Sequence, residues 1–294
     1  MDDSLVNLHT RDGEDRALVS KAVGGDRQAL EELIHRHQSW IDNVALRMVW
    51  LPEDAEDVTQ EILIKMLTRL VSFRGESSFR TWLYRILSNH VANMRRRRSE
   101  RVFSSFAAYG ASIDATPDMD PPDPEGLPVD AGLIVEEVRL SCMMGMILCL
   151  DRSHRLAFIL GAMLGADAGT GSAIMSISSE NFRQKLSRGR RKISQFMDEK
   201  CGLIRPENPC HCARKAQALI LAGHISPGRL LFASGDTARI KEMARHELEV
   251  MDDEALARSE EFIRDQPFYR SPDFVRILRD TIDQIPFQRV LSYN

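Results

Sequence analysis

Apolar residues recur at three- and four-residue steps through Leu30, Leu33, Ile34, His37, Ile41, Val44, Ala45 and Met48, which is the spacing of one buried helix face. Asp26 stands just ahead of them as an N-cap. Pro52, followed by Glu53 and Asp54, has the make-up of a helix start, and Ala55, Val58, Ile62, Met66 and Leu70 carry a second amphipathic helix onward. Residues 73–77 (FRGES) break the period at Gly75. Ser77 or Ser78 then caps a third helix with Phe79, Trp82, Leu83, Ile86, His90 and Met94, which ends in four consecutive arginines at 95–98.

The next stretch, residues 104–130, is rich in Ala, Ser, Asp and Pro and reads as a flexible linker. Residues 133–165 are mostly helical by pattern. Residues 167–179 are short, small and turn-like, with two glycines that each cost a helix about 1 kcal/mol. Ser178 can cap the following helix, whose apolar stripe is Phe182, Leu186, Ile193 and Phe196 and whose other face is basic. Such a succession predicts a helix-turn-helix. Further helices are expected around 213–222, 237–264 and 272–285. The fold class is therefore all-α, with a helical domain over 1–103, an acidic proline-rich linker over 104–132, a helix-turn-helix domain over 133–199 and a cysteine-containing helical extension over 200–294.

Composition sharpens this picture only where charge is concerned. The 294 residues carry a net charge of -4, but it is segregated: residues 1–103 are neutral, 104–150 carry -7, 151–197 carry +5 and 198–294 carry -2. Two basic concentrations, Arg95 with its neighbours and residues 183–192, flank an acidic stretch, as expected of a bipartite polyanion binder. A basic run at a helix end also complements the macrodipole, and either cluster alone is equally well read that way. The nearly unbroken apolar runs at 142–150 and 156–166 are well short of the ~20 residues of a membrane-spanning helix. With an acidic start lacking the features of a secretory signal, a cytoplasmic location and no membrane insertion are expected. An odd count of five cysteines argues for reduced thiols.

The segments AEDVTQEILIKML and FRGESSFRTWLYRILSNHVANMRRRR, between Ala55 and Arg98, closely resemble region 2 of the bacterial sigma-70 family in its extracytoplasmic-function class. The stretch DRSHRLAFILGAMLG…SISSENFRQKLSRGRRKI resembles region 4, although the family's usual acidic first helix is replaced by a glycine-containing segment at 168–172. Together they cover about two thirds of the chain. The resemblance implies a dissociable RNA polymerase sigma factor that binds core polymerase and promoter DNA, assists strand opening and catalyses no reaction. Nucleoid association when bound to polymerase and control by an anti-sigma factor also belong to what it implies.

Site residues follow residue by residue. Asp57, Gln60 and Glu61, with Asp54 on the same face, match the docking positions for the polymerase coiled coil. Phe73, Arg74, Gly75, Glu76 and Ser77 would form the loop that cradles a flipped base of the minus-ten element, with Arg80, Arg85, Asn89, Asn93, Arg95 and Arg96 continuing along the strand. Strand capture chemically suits arginines interleaved with aromatics beside a small polar loop. Phe79, Trp82, Leu83 and Ile86 also read as a buried stripe. In the second domain, Ser179, Arg183, Gln184, Ser187 and Arg188 are candidates for the upstream element, since Arg pairs bidentately with guanine and Gln with adenine. Arg191, like Arg190 and Lys192, suits phosphate.

Cys201, Cys210 and Cys212, with His211 and His224, could supply ligands to zinc, although C-x8-C-x-C is not a usual zinc spacing; redox-sensing thiols and buried or incidental thiols are the alternative readings of the same residues. The tail is expected to pack on the helix-turn-helix domain. No Gly-rich phosphate loop, nucleophile elbow or His/carboxylate metal motif supports an enzyme, and no cofactor is required. Two other functions compete with the sigma reading: a helix-turn-helix regulator acting without core polymerase, and a metal- or thiol-sensing interaction protein.

Overall fold

A computed structural model describes residues 12–95, 97–102, 105–233 and 269–284. Among them the secondary structure is helical, and the one extended pairing is an isolated parallel bridge between Cys201 and Cys210. None of the described helices is long and apolar enough to cross a membrane. The chain packs as two bodies. The first gathers the described residues up to 97, then 152–186 and those from 270 onward; the second gathers 98–151 and the described part of 187–269.

The first body begins with α1 (Asp12–Val23), which has three acidic residues in its first turn. Next comes α2 (Arg27–Val49), whose N-cap Asp26 accepts from the Ala29 amide. Pro52 starts α3 (Pro52–Arg69), a 3-10 turn covers Leu70–Ser72, and α4 (Phe79–Asn93) starts at Ser78, whose hydroxyl accepts from the Thr81 amide. The apolar stripes expected of these helices meet: Leu33, Ile34, Ile41, Val58, Ile62, Met66, Phe79 and Leu83 are buried together with Ile86.

To this bundle the chain returns with α8 (Arg152–Phe158), a π-helical turn at Ile159–Met163, α9 (Ala168–Met175) and the first part of α10 (Ser179–Lys200). Arg155 Nη1 donates to the Met48 carbonyl at 2.5 Å, one of the last-turn carbonyls of α2. The stretch read as turn-like is therefore largely a helix. Asp167 caps it by accepting from the Thr170 amide at 2.7 Å. A Cβ on Gly171 would lie 2.2 Å from Phe182 Cζ, and one on Gly161 would lie 2.5 Å from Leu186 Cδ2. These glycines lower helix propensity, but they let α10 come close enough to bury Phe182.

The second body contains α5 (Arg98–Val102), α6 (Phe106–Ala115), α7 (Ala131–Leu148), the later part of α10 and α11 (Cys212–Leu221). Ile134 and Val138 of α7 form its core with Ala216 and Ile225, flanked by Leu127, Leu219 and Leu230. Glu137 is buried and accepts from the amides of Leu231, Phe232 and Ala233, which ties the segment after α11 back to α7. Part of the acidic, proline-rich stretch carries order that its composition does not announce. Ser105 caps α6, Tyr109 and Phe106 pack on Phe196, and Lys215 pairs with Asp118 at 3.0 Å.

The helix expected at 213–222 is α11, and the one expected at 272–285 is α12 (Phe274–Gln284); the helix expected at 237–264 lies outside the described residues. The tail does not follow the expected docking throughout. Within the first body α12 lies against α2, where the Phe274 amide donates to Gln38 Oε1 at 3.0 Å and Phe274, Val275 and Leu278 are buried. An apolar stripe at i, i+1 and i+4 and a side-chain acceptor for its unpaired first amides account for the attachment.

Candidate promoter and polymerase interface

The loop at 73–77 is shaped by a helix that the sequence patterns did not announce. Arg16 of α1 donates to the Gly75 carbonyl at 3.0 Å and to the Ser77 carbonyl at 3.2 Å, and Asp12 orients its guanidinium at 2.8 Å. The other carboxylate oxygen of Asp12 accepts from the Phe79 amide at 3.0 Å. Gly75 has φ +73, and a Cβ there would also lie 2.8 Å from Arg16 Nη1. Only glycine meets both conditions without strain. The acidic and basic residues of DGEDR were the available signal for this brace, but they are equally ordinary as a solvated helix start.

Phe73 is half-buried, and its ring packs at 5.5 Å on Phe79 and 5.6 Å on Trp82. Aromatic packing therefore anchors both ends of the loop. Arg74 and Glu76 are exposed between them, and Gly75 and Ser77 are half-buried. Phe79, Leu83 and Ile86 belong to the core, whereas Trp82 keeps partial exposure. Arg80 is half-buried near Asp15 and His37; burial is the main cause of the lowered His37 pKa, and the Arg80 charge adds to it. Arg85 donates through Nε to the Ala173 carbonyl of α9 at 2.6 Å, so in this conformation its guanidinium is engaged by protein. Asn89, Asn93 and Arg95 are exposed; Asn93 donates back to the Asn89 carbonyl, and the Arg95 carbonyl accepts from Arg152. Arg96 lies outside the described residues.

On α3, Asp57 and Glu61 are well exposed and Asp54 and Gln60 are partly so. Arg97 reaches Asp54 at 3.3 Å and Asp57 at 3.6 Å. Glu61 approaches His90 at 3.6 Å, while Lys65 contacts the other ring nitrogen. Burial, reinforced by Lys65, holds the His90 imidazole below its usual pKa, so the Glu61 approach is not an ion pair near neutral pH. The carboxylates of Asp57 and Glu61 nevertheless keep more than half of their side-chain surface in solvent.

The turn between α9 and α10 is left-handed at Ser176, with φ 55. The hydroxyls of Ser172 and Ser179 share a hydrogen bond at 3.1 Å, so half-buried Ser179 positions α10 from within. Arg183, Gln184, Ser187, Arg188 and Arg191 share an exposed face of α10. Arg183 and Gln184 both reach Glu180, at 2.9 and 3.1 Å, and the Arg183 bond holds the Glu180 carboxyl below its usual pKa.

The cysteines require a correction. Among the described residues no group of three or more His, Cys, Asp or Glu side chains could hold a metal ion, so zinc at Cys201, Cys210 and Cys212 is unsupported. Cys201 and Cys210 oppose each other across the bridge, while Cys212 opens α11 and packs on the α7 core. Burial raises the Cys210 thiol to about 11 and the Cys142 thiol to about 12, and it lifts Cys212 as well.

The family model for Sigma-70 region 2 matches residues 33–101. Over 185 residues the chain is 33% identical to the ECF RNA polymerase sigma-E factor of Escherichia coli, which spans 61% of this chain and 92% of that protein. It is 36% identical over 115 residues to the RNA polymerase sigma-H factor of Pseudomonas aeruginosa, covering 37% of this chain and 60% of the relative. The solved structure of CnrH in complex with the cytosolic domain of CnrY aligns over 63% of this chain and 97% of its own, at 23% identity and a TM-score of 0.44. The chain belongs to the extracytoplasmic-function class of the sigma-70 family, the sigma factors that direct RNA polymerase in transcription initiation.

Proposed function

We propose that this sigma factor docks on core polymerase through Asp54, Asp57, Gln60 and Glu61 of α3 and reads two promoter elements with two separate surfaces. The minus-ten surface is the loop at 73–77, continued by Arg80, Arg85, Asn89, Asn93, Arg95 and Arg96. The upstream surface is the exposed face of α10, with Arg183, Gln184, Ser187 and Arg188 toward bases and Arg191 toward phosphate. Residues 1–103 and 133–199 then act as the two functional domains, joined by 104–132, and residues 200–294 form an extension. The protein catalyses no reaction, needs no cofactor, works in the cytoplasm and has an anti-sigma factor as its regulatory partner.

The observation that most supports this reading is the brace of Asp12 and Arg16 on the loop, which spends an ion pair and three hydrogen bonds on presenting Arg74 and Glu76 to solvent. A core helix cap would need no such external support. Run-off transcription with purified core polymerase tests the reading. Asp57→Ala combined with Gln60→Ala should abolish co-elution with core and transcription together. Unchanged transcription in that variant, or failure of the wild-type chain to bind core, would overturn the assignment.

A further inference from the structure

The end of α10 is closed by a turn that promoter binding does not use. The Cys201 amide completes the helix by donating to the Met197 carbonyl at 2.8 Å, and the amides of Ile204 and Arg205 both donate to the Cys201 carbonyl at 3.1 Å. The chain then doubles back. The Cys210 amide donates to the Lys200 carbonyl at 3.3 Å and the Gly202 amide to the Cys210 carbonyl at 2.9 Å, the two bonds of a parallel bridge centred on the cysteines. Asn208 Nδ2 donates to the Asp198 and Cys201 carbonyls at 2.9 and 3.1 Å, and Arg205 holds both carboxylate oxygens of Asp198, at 2.6 and 3.0 Å. A Cβ on Gly202 would lie 2.6 Å from the His211 ring, so that position is glycine for close approach.

This network holds Cys201 and Cys210 as a directly opposed pair. Opposed Cα atoms of a ladder lie about 4.8 Å apart. A disulfide spans Cα separations of about 4.4–6.8 Å, so closure asks for little backbone movement. Both residues retain partial exposure.

We propose that Cys201 and Cys210 form a reversible disulfide by exchange with a small disulfide such as oxidised glutathione, making the cap of α10 a thiol-modification site. One cysteine thiolate attacks a glutathione sulfur, the glutathione disulfide breaks, and a glutathione thiolate leaves. The second cysteine thiolate then attacks the protein sulfur of the mixed disulfide and expels the other glutathione. Two protein thiols are oxidised, one disulfide is reduced to two thiols, and the two protons pass to the leaving thiolates through solvent. Cys212 stays outside the pair because it packs on the α7 core, and Cys142 because its thiol is held near 12. Exchange is slow at neutral pH and accelerates as pH rises, since Cys210 is raised to about 11.

The experiment uses the full chain, reduced, desalted and exposed to oxidised glutathione at about pH 8.5, then alkylated and digested with trypsin. Arg205 precedes a proline, so residues 201–214 form one tryptic peptide with Cys201, Cys210 and Cys212. After oxidation this peptide should lack two hydrogens and carry one alkyl group, located on Cys212 by fragmentation; dithiothreitol before alkylation should restore three. Cys212→Ser should still close, and Cys201→Ser and Cys210→Ser should not. Three alkyl groups after oxidation, an alkyl group on Cys201 or Cys210 in the oxidised peptide, or closure that survives Cys201→Ser would overturn the proposal. Because fragmentation of the wild-type peptide assigns the bond directly, a variant that fails to fold leaves the test intact.

Discussion

The loop at 73–77 and the turn after α9 are both polar breaks ahead of a helix that the proposed function turns toward DNA, but they are held in opposite ways. The first is held by added groups: Arg16 and Asp12 reach in from α1 to satisfy two carbonyls and one amide. The second is held by groups left out, because Gly161 and Gly171 remove the side chains that would keep Leu186 and Phe182 away. Polar bracing of an exposed loop yields a modest net energy per bond, whereas a close-packed contact resists any added atom. The loop should therefore tolerate change in its supports, and the helix-turn-helix should not.

The largest expected effect tests that contrast inside α9. Gly171→Ala replaces a poor helix former with the best, which by propensity alone would stabilise by about 1 kcal/mol. Its Cβ would press to 2.2 Å against the edge of the buried Phe182 ring, which belongs to core rather than to a flexible surface side chain, and overpacking of this kind costs about 1–3 kcal/mol. Net destabilisation in urea melts is expected. Gly169→Ala, exposed on the same helix, meets only the side-chain oxygen of Asp167, at 3.2 Å, and should change stability far less than Gly171→Ala. If Gly171→Ala is no more destabilising than Gly169→Ala, the packing account of α9 is wrong.

A smaller effect is expected from Arg16→Ala. Its guanidinium is substantially exposed, so losing the bonds to Gly75 and Ser77 should cost about 1 kcal/mol or less in global stability. The loop itself should lose order, and strand opening, read by permanganate reactivity of promoter thymines, should fall more than closed-complex binding does. Equal losses in opening and binding would show that Arg16 supports the domain rather than the loop.

What was legible beforehand divides along the same line. The helices α2, α3 and α4, with the caps at Asp26 and Ser78 and the proline at 52, were readable because period and cap chemistry are local. Helix α9 was misread because its glycines were weighed by propensity, and the reason for them, Phe182, lies eleven residues further along the chain from Gly171. The brace by Arg16 was invisible for a related reason: its acceptors are carbonyls 59 and 61 residues away, and backbone acceptors leave no mark on composition. Candidate contact residues were legible as types and positions, but not the engagement of Arg85 by Ala173 or of Ser179 by Ser172, which depend on helices meeting in space.

The smallest effect expected is a pH dependence confined to the braced side. His37 is buried at 3.3 Å from Asp15 of α1, with its ring 5.3 Å from Phe79. Burial lowers its pKa below 6.5, outweighing the attraction of Asp15, so it is neutral in the folded protein at neutral pH. Burial pushes the Asp15 carboxyl up, but His37, Arg36 and Arg80 together pull it below 3.8. A histidine with a depressed folded pKa contributes stability that is full above 6.5 and is lost as pH falls through that value toward the folded one. His90, also depressed, acts in the same window and direction, whereas Asp42, raised above 3.8 mainly by burial, has the opposite sign and loses stability as pH rises. The His37 share is isolated by His37→Gln, which should flatten the fall in melting temperature as pH drops below 6.5 without removing the His90 part. Wild type and His37→Gln melting with the same pH slope would mean that α1 is not held through a neutral His37, and that the support of the loop is independent of this pair.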